Sequence, residues 1–394
     1  MAVRQESRKE LTRALQERYW RSDKAGRGRI LDTFCEATGY HRKYAIELLK
    51  HGSVKSGPKR RRRGRPQTYD SRVIGALRVA ADASGWICGK RLAPGLADLV
   101  PALEREGALR IDAHVRAALL ALSPATIDRR LAGDKRTLKQ RGLGTTKPGS
   151  LLKSQIPIQT YLPWDEQVPG FVEIDLVAHC GTSTAGDYAF TLDVTDIATG
   201  WTECTAIPNK SQEATSEGLT RIRDRFPFPL KGIDSDNGSE FINYHLLAYC
   251  QNAGLSFTRC RAYHKDDQAH IEEKNWDVVR KTIGYDRFRG NTACEQLDRV
   301  YTLLGLYRNC YLPAMKCTGK ERFGSKVRKR YDIPASPYRR ILAAKVLTVD
   351  EKLALAERVN STGPMTLKRQ IERELDILWD RHSLPTNGSL AATA

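Results

Sequence analysis

The chain has 394 residues, of which 40% are hydrophobic and 28% charged, so it is long enough for two or three domains and can bury hydrophobic cores. Its 65 Lys and Arg outnumber its 46 Asp and Glu, and the net charge of +19 points to a polyanionic partner, most simply nucleic acid. This composition excludes a collagen-like fibre and a small secreted scaffold, and no apolar run approaches the roughly 20 residues of a membrane span.

The chain opens with a predicted helix-turn-helix module over residues 1–53. Apolar residues recur on one helical face between residues 24 and 36, Thr38-Gly39 ends that helix, and a second helix follows over residues 41–50. In such a motif the first residues of the second helix meet the edges of the bases. An ordinary helical hairpin with a solvated basic face fits the same pattern. The residues placed to contact DNA are Arg42 and Lys43.

A basic linker follows over residues 54–69. Its stretch VKSGPKRRRRGRP holds seven Lys or Arg and no acid, and its Gly, Ser and Pro disfavour regular structure. The end of this stretch, RGRP at residues 63–66, resembles the core of an AT-hook, in which Arg-Gly-Arg lies along a narrow minor groove. A flexible tether that binds phosphates without sequence preference explains the same residues. The candidate DNA ligands here are Arg61, Arg63 and Arg65.

Residues 70–133 form a second predicted helical module. Ser123 is a favourable N-cap and Pro124 a favourable first residue for a helix whose buried face contains Ile127 and Leu131. This helix is either a second recognition helix or a capped surface helix, and both interpretations stay open. Its candidate DNA ligands are Arg129 and Arg130. Residues 134–169, rich in Lys, Gly, Pro and Thr, indicate an extended connector.

The pattern changes over residues 170–290, where three strand-like runs are followed by alternating helices and strands. The order βββαβαβα predicts a mixed sheet with helices packed on it. Residues 291–394 are predicted to be basic and helical, with two short helices around Gly363-Pro364 and a frayed tail. The predicted strands are Phe171–Ala178, Tyr188–Val194, Trp201–Ile207, Leu230–Asp234 and Leu255–Cys260, and the helices are Ser211–Arg225, Glu240–Ala253 and Gln268–Ile283.

Acidic residues are concentrated in this central block. Residues 171–290 hold 13 basic and 18 acidic residues, a balance of −5, whereas the rest of the chain carries +24. A protein that only coats DNA has no need of an acidic centre. A DNA enzyme needs carboxylates that bind metal ions, and these would make its centre acidic. By position, Asp175 lies in mid-strand, Asp236 at a strand end, and Glu272 in the first turns of a helix. Each alone fits a salt bridge or a capping charge. The neighbouring acids that compete for the same functions are Glu173, Asp234 and Glu273.

The spacing of the three acids resembles the D,D-35-E core of retroviral-integrase-type transposases, as found in bacterial insertion sequences. Sixty residues lie between Asp175 and Asp236, and 35 lie between Asp236 and Glu272. The resemblance covers residues 170–290. It includes the turn Thr199-Gly200-Trp201, the run from Asp236 to Phe241, and Glu-x-x-Asn at residues 272–275.

Two features depart from this family pattern. Gln268-Ala269 stands where many relatives have Asn-Gly, which bears on the geometry of the loop before the helix. The His-His-Cys-Cys zinc module of retroviral integrases is missing from the sequence, and helix-turn-helix candidates occupy its place. The second departure favours a bacterial transposase over a viral integrase.

The resemblance implies an RNase-H-like fold and a transposase that works with two Mg²⁺ or Mn²⁺ ions per active site. Asp175 is then the bridging ligand, Asp236 a ligand of one ion and Glu272 a ligand of the other. Such an enzyme nicks the ends of its element and joins the freed 3′-OH to target DNA. The implied partners are double-stranded DNA and further copies of the chain in a multimer. Candidate DNA contacts near the acids are Lys265, for which a solvated loop is an equal explanation, Lys274 and Asn275.

Two other functions stay open from the sequence. A nuclease of the same fold would hydrolyse DNA without joining it. A DNA-binding regulator derived from a transposase would normally have an eroded set of acids, and the set is intact here.

The nine cysteines are odd in number, widely spread and without a Cys-x-x-Cys pair. We therefore expect reduced thiols, with neither a disulfide framework nor a zinc site. Together with the charged N-terminal sequence, this favours a cytoplasmic protein. The resemblance to transposases of insertion sequences implies a bacterial protein that lies on the nucleoid when bound to DNA.

Overall fold

The computed structural model describes residues 5–52, 69–136, 168–235, 241, 244–259, 274–323 and 326–382. The chain divides into two compact units, Met1–Thr68 and Tyr69–Ala394. None of the described helices is long and apolar enough to cross a membrane. The eight cysteines within these ranges are all free thiols.

The first unit contains three helices, α1 (Gln5–Arg21), α2 (Lys24–Thr38) and α3 (Arg42–His51). α2 ends at Gly39, whose left-handed φ of 70° turns the chain sharply and whose N–H donates to the carbonyl of Cys35. Phe34, Ala45 and Leu49 are fully buried in the small core between the helices. The helix, short glycine turn and second helix expected from the sequence are therefore present. Linker residues 54–68 lie outside the described residues.

Four helices open the second unit, namely α4 (Ser71–Ala83), α5 (Gly89–Arg105), α6 (Ala113–Leu120) and α7 (Pro124–Arg136). α7 begins at Pro124, and Ile127 and Leu131 are fully buried, as the sequence predicts. The helix continues three residues beyond the expected boundary at residue 133. Residues 137–167 of the predicted connector lie outside the described part of the chain.

A five-stranded sheet in the order β3-β2-β1-β4-β5 forms the centre of the second unit. β2 is antiparallel to both β1 and β3, whereas β4 is parallel to both β1 and β5. The element order βββαβαβα and the mixed sheet with helices packed on it are those expected from the sequence. The strands are β1 (Phe171–Ala178), β2 (Phe190–Asp196), β3 (Thr202–Ile207), β4 (Gly232–Ser235) and β5 (Ser256–Arg259). The helices are α8 (Gln212–Arg223), α9 (Tyr244–Asn252) and α10, which is π-helical over Asn275–Arg280 and α-helical over Lys281–Ile283.

The C-terminal region combines helices with a hairpin that the sequence analysis did not predict. Its elements are α11 (Gly290–Tyr311), β6 (Cys317–Phe323), β7 (Lys326–Tyr331), α12 (Pro337–Ala343), α13 (Val349–Asn360) and α14 (Pro364–His382). The break at Gly363-Pro364 separates α13 from α14, as expected, but α14 has 19 residues and is not the short helix predicted. The basic stretch at residues 316–330 forms the antiparallel pair β6–β7. The predicted tail, residues 383–394, lies outside the described residues.

The central sheet separates two hydrophobic cores, because side chains alternate between its faces. On one face Ile174 and Val194 pack with residues of α8 and α9. On the other face Val177 packs with residues of α10, α11 and α14. Asp175 shares this second face with Val177, two residues along the same strand.

Candidate active site

Asp175 is a polar group in the middle of an apolar strand. It is half-buried, whereas Glu173 and Val177 on the same face are buried. The N–H of Leu176 donates to its Oδ1 at 2.8 Å, and Nδ2 of Asn275 donates to its Oδ2 at 2.5 Å. The carboxylate is therefore oriented by two donors while part of it stays accessible to solvent.

α10 places Asn275 against β1. Its π-helical turn is of a kind often found at functional sites. Arg308 of α11 anchors this turn, because it donates to the carboxylate of Asp277 and, at 3.2 Å, to the carbonyl of the same residue. Burial raises the pKa of Asp277, but the positive charge of Arg308 outweighs this effect and the pKa falls to about 2. Asp277 and Arg308 therefore form an ionised pair at neutral pH.

The other two predicted metal ligands, Asp236 and Glu272, lie outside the described residues. One described range ends one residue before Asp236, and another begins two residues after Glu272. β4 ends at Ser235, which pairs with Ile174, the residue before Asp175. Asn275 comes three residues after Glu272 in the sequence and contacts Asp175 directly. The structure therefore brings together, at the middle of β1, segments that adjoin all three acids.

A fourth acid, Asp193, lies beside Asp175 and is not among the sequence candidates. It sits directly opposite Asp175 in the β1–β2 register and is fully buried. Thr195 donates to its Oδ1 at 3.3 Å, and its Oδ2 has no hydrogen-bond partner among the described residues. Burial raises the pKa of Asp193 to about 7, an effect that Lys274 opposes and Asp175 reinforces. The available sequence signal was a charged residue inside a strand-like run.

Lys274 points inward. Its Nζ lies 3.5 Å from the carbonyl oxygen of Gly200, to which it donates. Burial lowers the pKa of this ammonium to about 8; Arg308 lowers it further, and Asp277 opposes the shift. This position supplies positive charge near Asp193 from within the protein. Contact between Lys274 and DNA, expected from the sequence, stays a prediction.

The oxygen atoms around Asp175 suit a hard divalent cation. Mg²⁺ and Mn²⁺ prefer carboxylate and amide oxygens, and such oxygens come here from Asp175, Asp193 and Asn275. Asp193 Oδ2 and Asn275 Oδ1 are both buried without a hydrogen-bond partner among the described residues. Those residues contain no group of three or more His, Cys, Asp or Glu placed to hold a metal ion, and they do not include Asp236 and Glu272. The donor chemistry of the described residues around Asp175 therefore fits a divalent ion.

Two of the acids that competed with the predicted ligands are buried. Glu173 and Asp234 pair across β1 and β4, and both are buried. Thr258 donates to Oδ1 of Asp234 at 2.6 Å. This environment suits a structural function for both. Glu273, the third competitor, lies outside the described residues.

Apart from Lys274 and Asn275, whose contact with DNA stays a prediction, the predicted DNA ligands fall into three groups. Arg42 and Lys43 are exposed in the first turn of α3, where Arg42 forms an ion pair with Asp32 of α2. On α7, Arg129 is exposed and Arg130 is half-buried. Outside the described residues lie Arg61, Arg63, Arg65 and Lys265.

Comparisons with known proteins identify similarity to integrases. The family model described as "Integrase core domain" matches residues 165–265, a range that contains Asp175 and Asp236. The chain is 41% identical over 336 residues to "Uncharacterized protein y4rM" of Sinorhizobium fredii (strain NBRC 101917 / NGR234), an alignment that covers 85% of this chain and 95% of the relative. It also matches the crystal structure of the catalytic core domain of BIV integrase, with 16% identity and a TM-score of 0.30, over 44% of this chain and 94% of that one.

Proposed function

The chain belongs to the family of integrase- and transposase-type proteins that carry an integrase core domain, and we propose that its activity is DNA transposition. In this proposal it binds the ends of a mobile element, cleaves each 3′ end with water, and transfers the freed 3′-OH into target DNA. The hydrogen bond from Asn275 to Asp175 carries the proposal, because it joins the segment beside Glu272 to the strand that bears the first acid.

Asp175, Asp236 and Glu272 would hold two Mg²⁺ or Mn²⁺ ions, with Asp175 shared between them. When bound, the ions activate the attacking oxygen and stabilise the leaving oxygen of an in-line phosphoryl displacement. Asn275 holds the carboxylate of Asp175 in one orientation through its Nδ2 donor. Water and a DNA 3′-OH are the attacking groups, so no side chain needs to act as a nucleophile.

The helical modules and the linker would hold the DNA. We assign recognition of the element ends to residues 1–53 and 70–133, with Arg42, Lys43, Arg129 and Arg130 as candidate contacts, and phosphate binding to residues 54–69. The net charge of +24 outside residues 171–290 supports this division of tasks. Pairing of two element ends would require a multimer, and the reaction would take place in the cytoplasm.

Replacing Asp236 with Asn tests the proposal. We expect loss of cleavage of element-end DNA in Mg²⁺ or Mn²⁺, because an amide is a much poorer ligand for a hard cation than a carboxylate. Binding to the same DNA in EDTA should be unchanged. Asp187→Asn is a matched control, because Asp187 is exposed and lies in the same unit of the chain. Cleavage by the Asp236→Asn variant at the wild-type rate would refute the assignment.

A second assay separates transposition from simple hydrolysis. A pre-nicked element end supplies the 3′-OH, and joined products are measured on a target duplex. Joining that depends on Asp236 supports a transposase. Cleavage without joining would indicate a nuclease of the same fold, and DNA binding with neither reaction would indicate a regulator.

A further inference from the structure

The β6–β7 hairpin is a basic two-stranded ribbon that none of the predicted DNA contacts includes. It forms a separate two-stranded sheet and pairs with no other described strand. Between Lys316 and Tyr331 the sequence has seven Lys or Arg and one acid, Glu321. We infer that this ribbon, the basic hairpin, docks on double-stranded DNA by contacting phosphates. The inference rests on the proposed function in that the bound DNA is the substrate of the same reaction.

The exposed cations of the basic hairpin are available to a partner. Arg328, Lys329 and Arg330 are all exposed on β7. Arg330 forms an ion pair with Glu321, the one acid of the hairpin. Arg328 and Lys329 make no ion pair or side-chain hydrogen bond within the described residues. Because successive residues of a strand face opposite sides, these two cations are presented on the two faces of the ribbon.

The base of the hairpin is fixed to the body that carries Asp175. Asp332 accepts a hydrogen bond from the N–H of Lys316 at 2.7 Å and forms an ion pair with Arg340 of α12 at 2.5 Å. Arg340 also donates to the carbonyl of Ala314 at 2.8 Å. The orientation of the ribbon is therefore set by folded contacts at its root.

This root lies near the candidate active site. Lys316 and Arg340 line one cavity together with Gly200 and Lys274. Asn275, the neighbour of Lys274, donates to Asp175. DNA held by the basic hairpin would thus run close to the acids. A two-stranded ribbon fits the major groove of B-DNA, and phosphate contacts from both of its faces predict binding without sequence preference.

The test compares two double variants of the full chain. Arg328→Gln/Lys329→Gln removes two exposed charges from the basic hairpin, and Arg369→Gln/Arg373→Gln removes two exposed charges from α14. Binding to a fluorescein-labelled DNA duplex of arbitrary sequence is measured by anisotropy in EDTA over a range of salt concentrations. We expect the slope of log Kd against log salt to fall by about 2 for the hairpin variant. The α14 variant should keep the wild-type slope.

The outcomes separate this inference from the proposed function. Equal changes in both variants would show a general effect of net charge and would overturn the inference. An unchanged slope with new self-association of the hairpin variant would also overturn it, because the charges would then only protect an exposed strand edge. If only the hairpin variant shows the smaller slope while the wild type shows no cleavage in Mg²⁺ or Mn²⁺, the proposed function fails and the DNA-docking surface stands.

Discussion

Asn275 connects the π-helical turn of α10 to the carboxylate that we propose as the shared metal ligand. Its Nδ2 donates to Oδ2 of Asp175 at 2.5 Å, and its Oδ1 is buried without a partner among the described residues. A side chain that orients a metal ligand typically contributes 10–100-fold to metal affinity or activity. The contact therefore predicts an effect on ion binding that is separable from folding.

Asn275→Ala should weaken Mn²⁺ binding by about 10–100-fold, because Asp175 loses the donor that fixes its orientation. Mn²⁺ affinity is measured by titration calorimetry, and cleavage is measured separately over a range of Mn²⁺ concentrations. Asn360→Ala at the exposed end of α13 is the matched control. Wild-type Mn²⁺ affinity in the Asn275→Ala variant would show that the contact does not organise the site.

Glu203 of β3 is a buried carboxyl group that makes stability depend on pH. Nε1 of Trp201 donates to its Oε1 at 2.9 Å, and Nδ2 of Asn309 donates to the same atom at 3.2 Å. Burial raises the pKa of Glu203 to about 7, against the hydrogen bond from Trp201 and the charges of Arg225 and Arg358. The folded state therefore binds a proton that the unfolded state releases at lower pH.

The sign of the effect follows from linkage. An acid whose pKa is raised in the folded state stabilises the fold below its unfolded pKa, and this contribution is lost as pH rises toward 7. Glu203→Gln, which is neutral at every pH, should reduce the loss of unfolding free energy between pH 5 and pH 8 by up to about 3 kcal/mol. Urea unfolding at pH 5 and pH 8 measures this loss of unfolding free energy. Glu217→Gln, at an exposed position, is the control. Identical losses in wild type and Glu203→Gln would contradict this assignment.

At the scale of elements, local patterns located the central strands well. β1 was predicted over residues 171–178 and is found there. The prediction was accurate because a run of apolar and β-branched residues, which favour strands, begins directly after Gly170. β2 begins and ends two residues later than predicted. The sequence analysis ended it before Asp196, yet that acid is buried and accepts hydrogen bonds from the N–H groups of Gly170 and Thr199. A charged residue that closes a turn can therefore belong to a strand.

The basic hairpin and Asp193 were missed for different physical reasons. In β6–β7 the high charge concealed the strand pattern, and no hydrophobic face marks a ribbon that packs against no other described sheet. Asp193 becomes a candidate site residue only through the strand register, which places it opposite Asp175. Strand register is a tertiary property, so spacing along the chain made Asp175 a candidate metal ligand but gave no signal for its neighbour.

At the scale of the whole molecule, the second helical module belongs to the same compact unit as the sheet. Tyr307 of α11 donates to the carbonyl of Ala83 in α4 at 2.8 Å, and Arg91 of α5 donates to the carbonyl of Pro313 at 2.6 Å. Gly95 packs so closely on Pro313 that an added Cβ would lie 2.4 Å from the proline ring. These contacts predict that residues 69–136 unfold together with the central sheet.

Glu106 is the residue through which this coupling can be tested. It follows α5 and caps α14, with Oε1 accepting from the N–H of Met365 and Oε2 from the N–H of Thr366, both at 3.1 Å. A carboxylate at a helix N-terminus also interacts favourably with the helix dipole. Glu106→Ala should therefore destabilise the second unit by about 1–2 kcal/mol.

Hydrogen exchange shows how far this destabilisation spreads. In a single cooperative unit the Glu106→Ala variant loses protection in residues 69–136, in the central strands and in α14 by the same factor. Glu357→Ala on the exposed face of α13 is the matched control and should leave protection unchanged. Loss of protection confined to α14 would show that the helical module and the sheet unfold separately. In that case the module would have to be treated as a domain of its own when its position on DNA is considered.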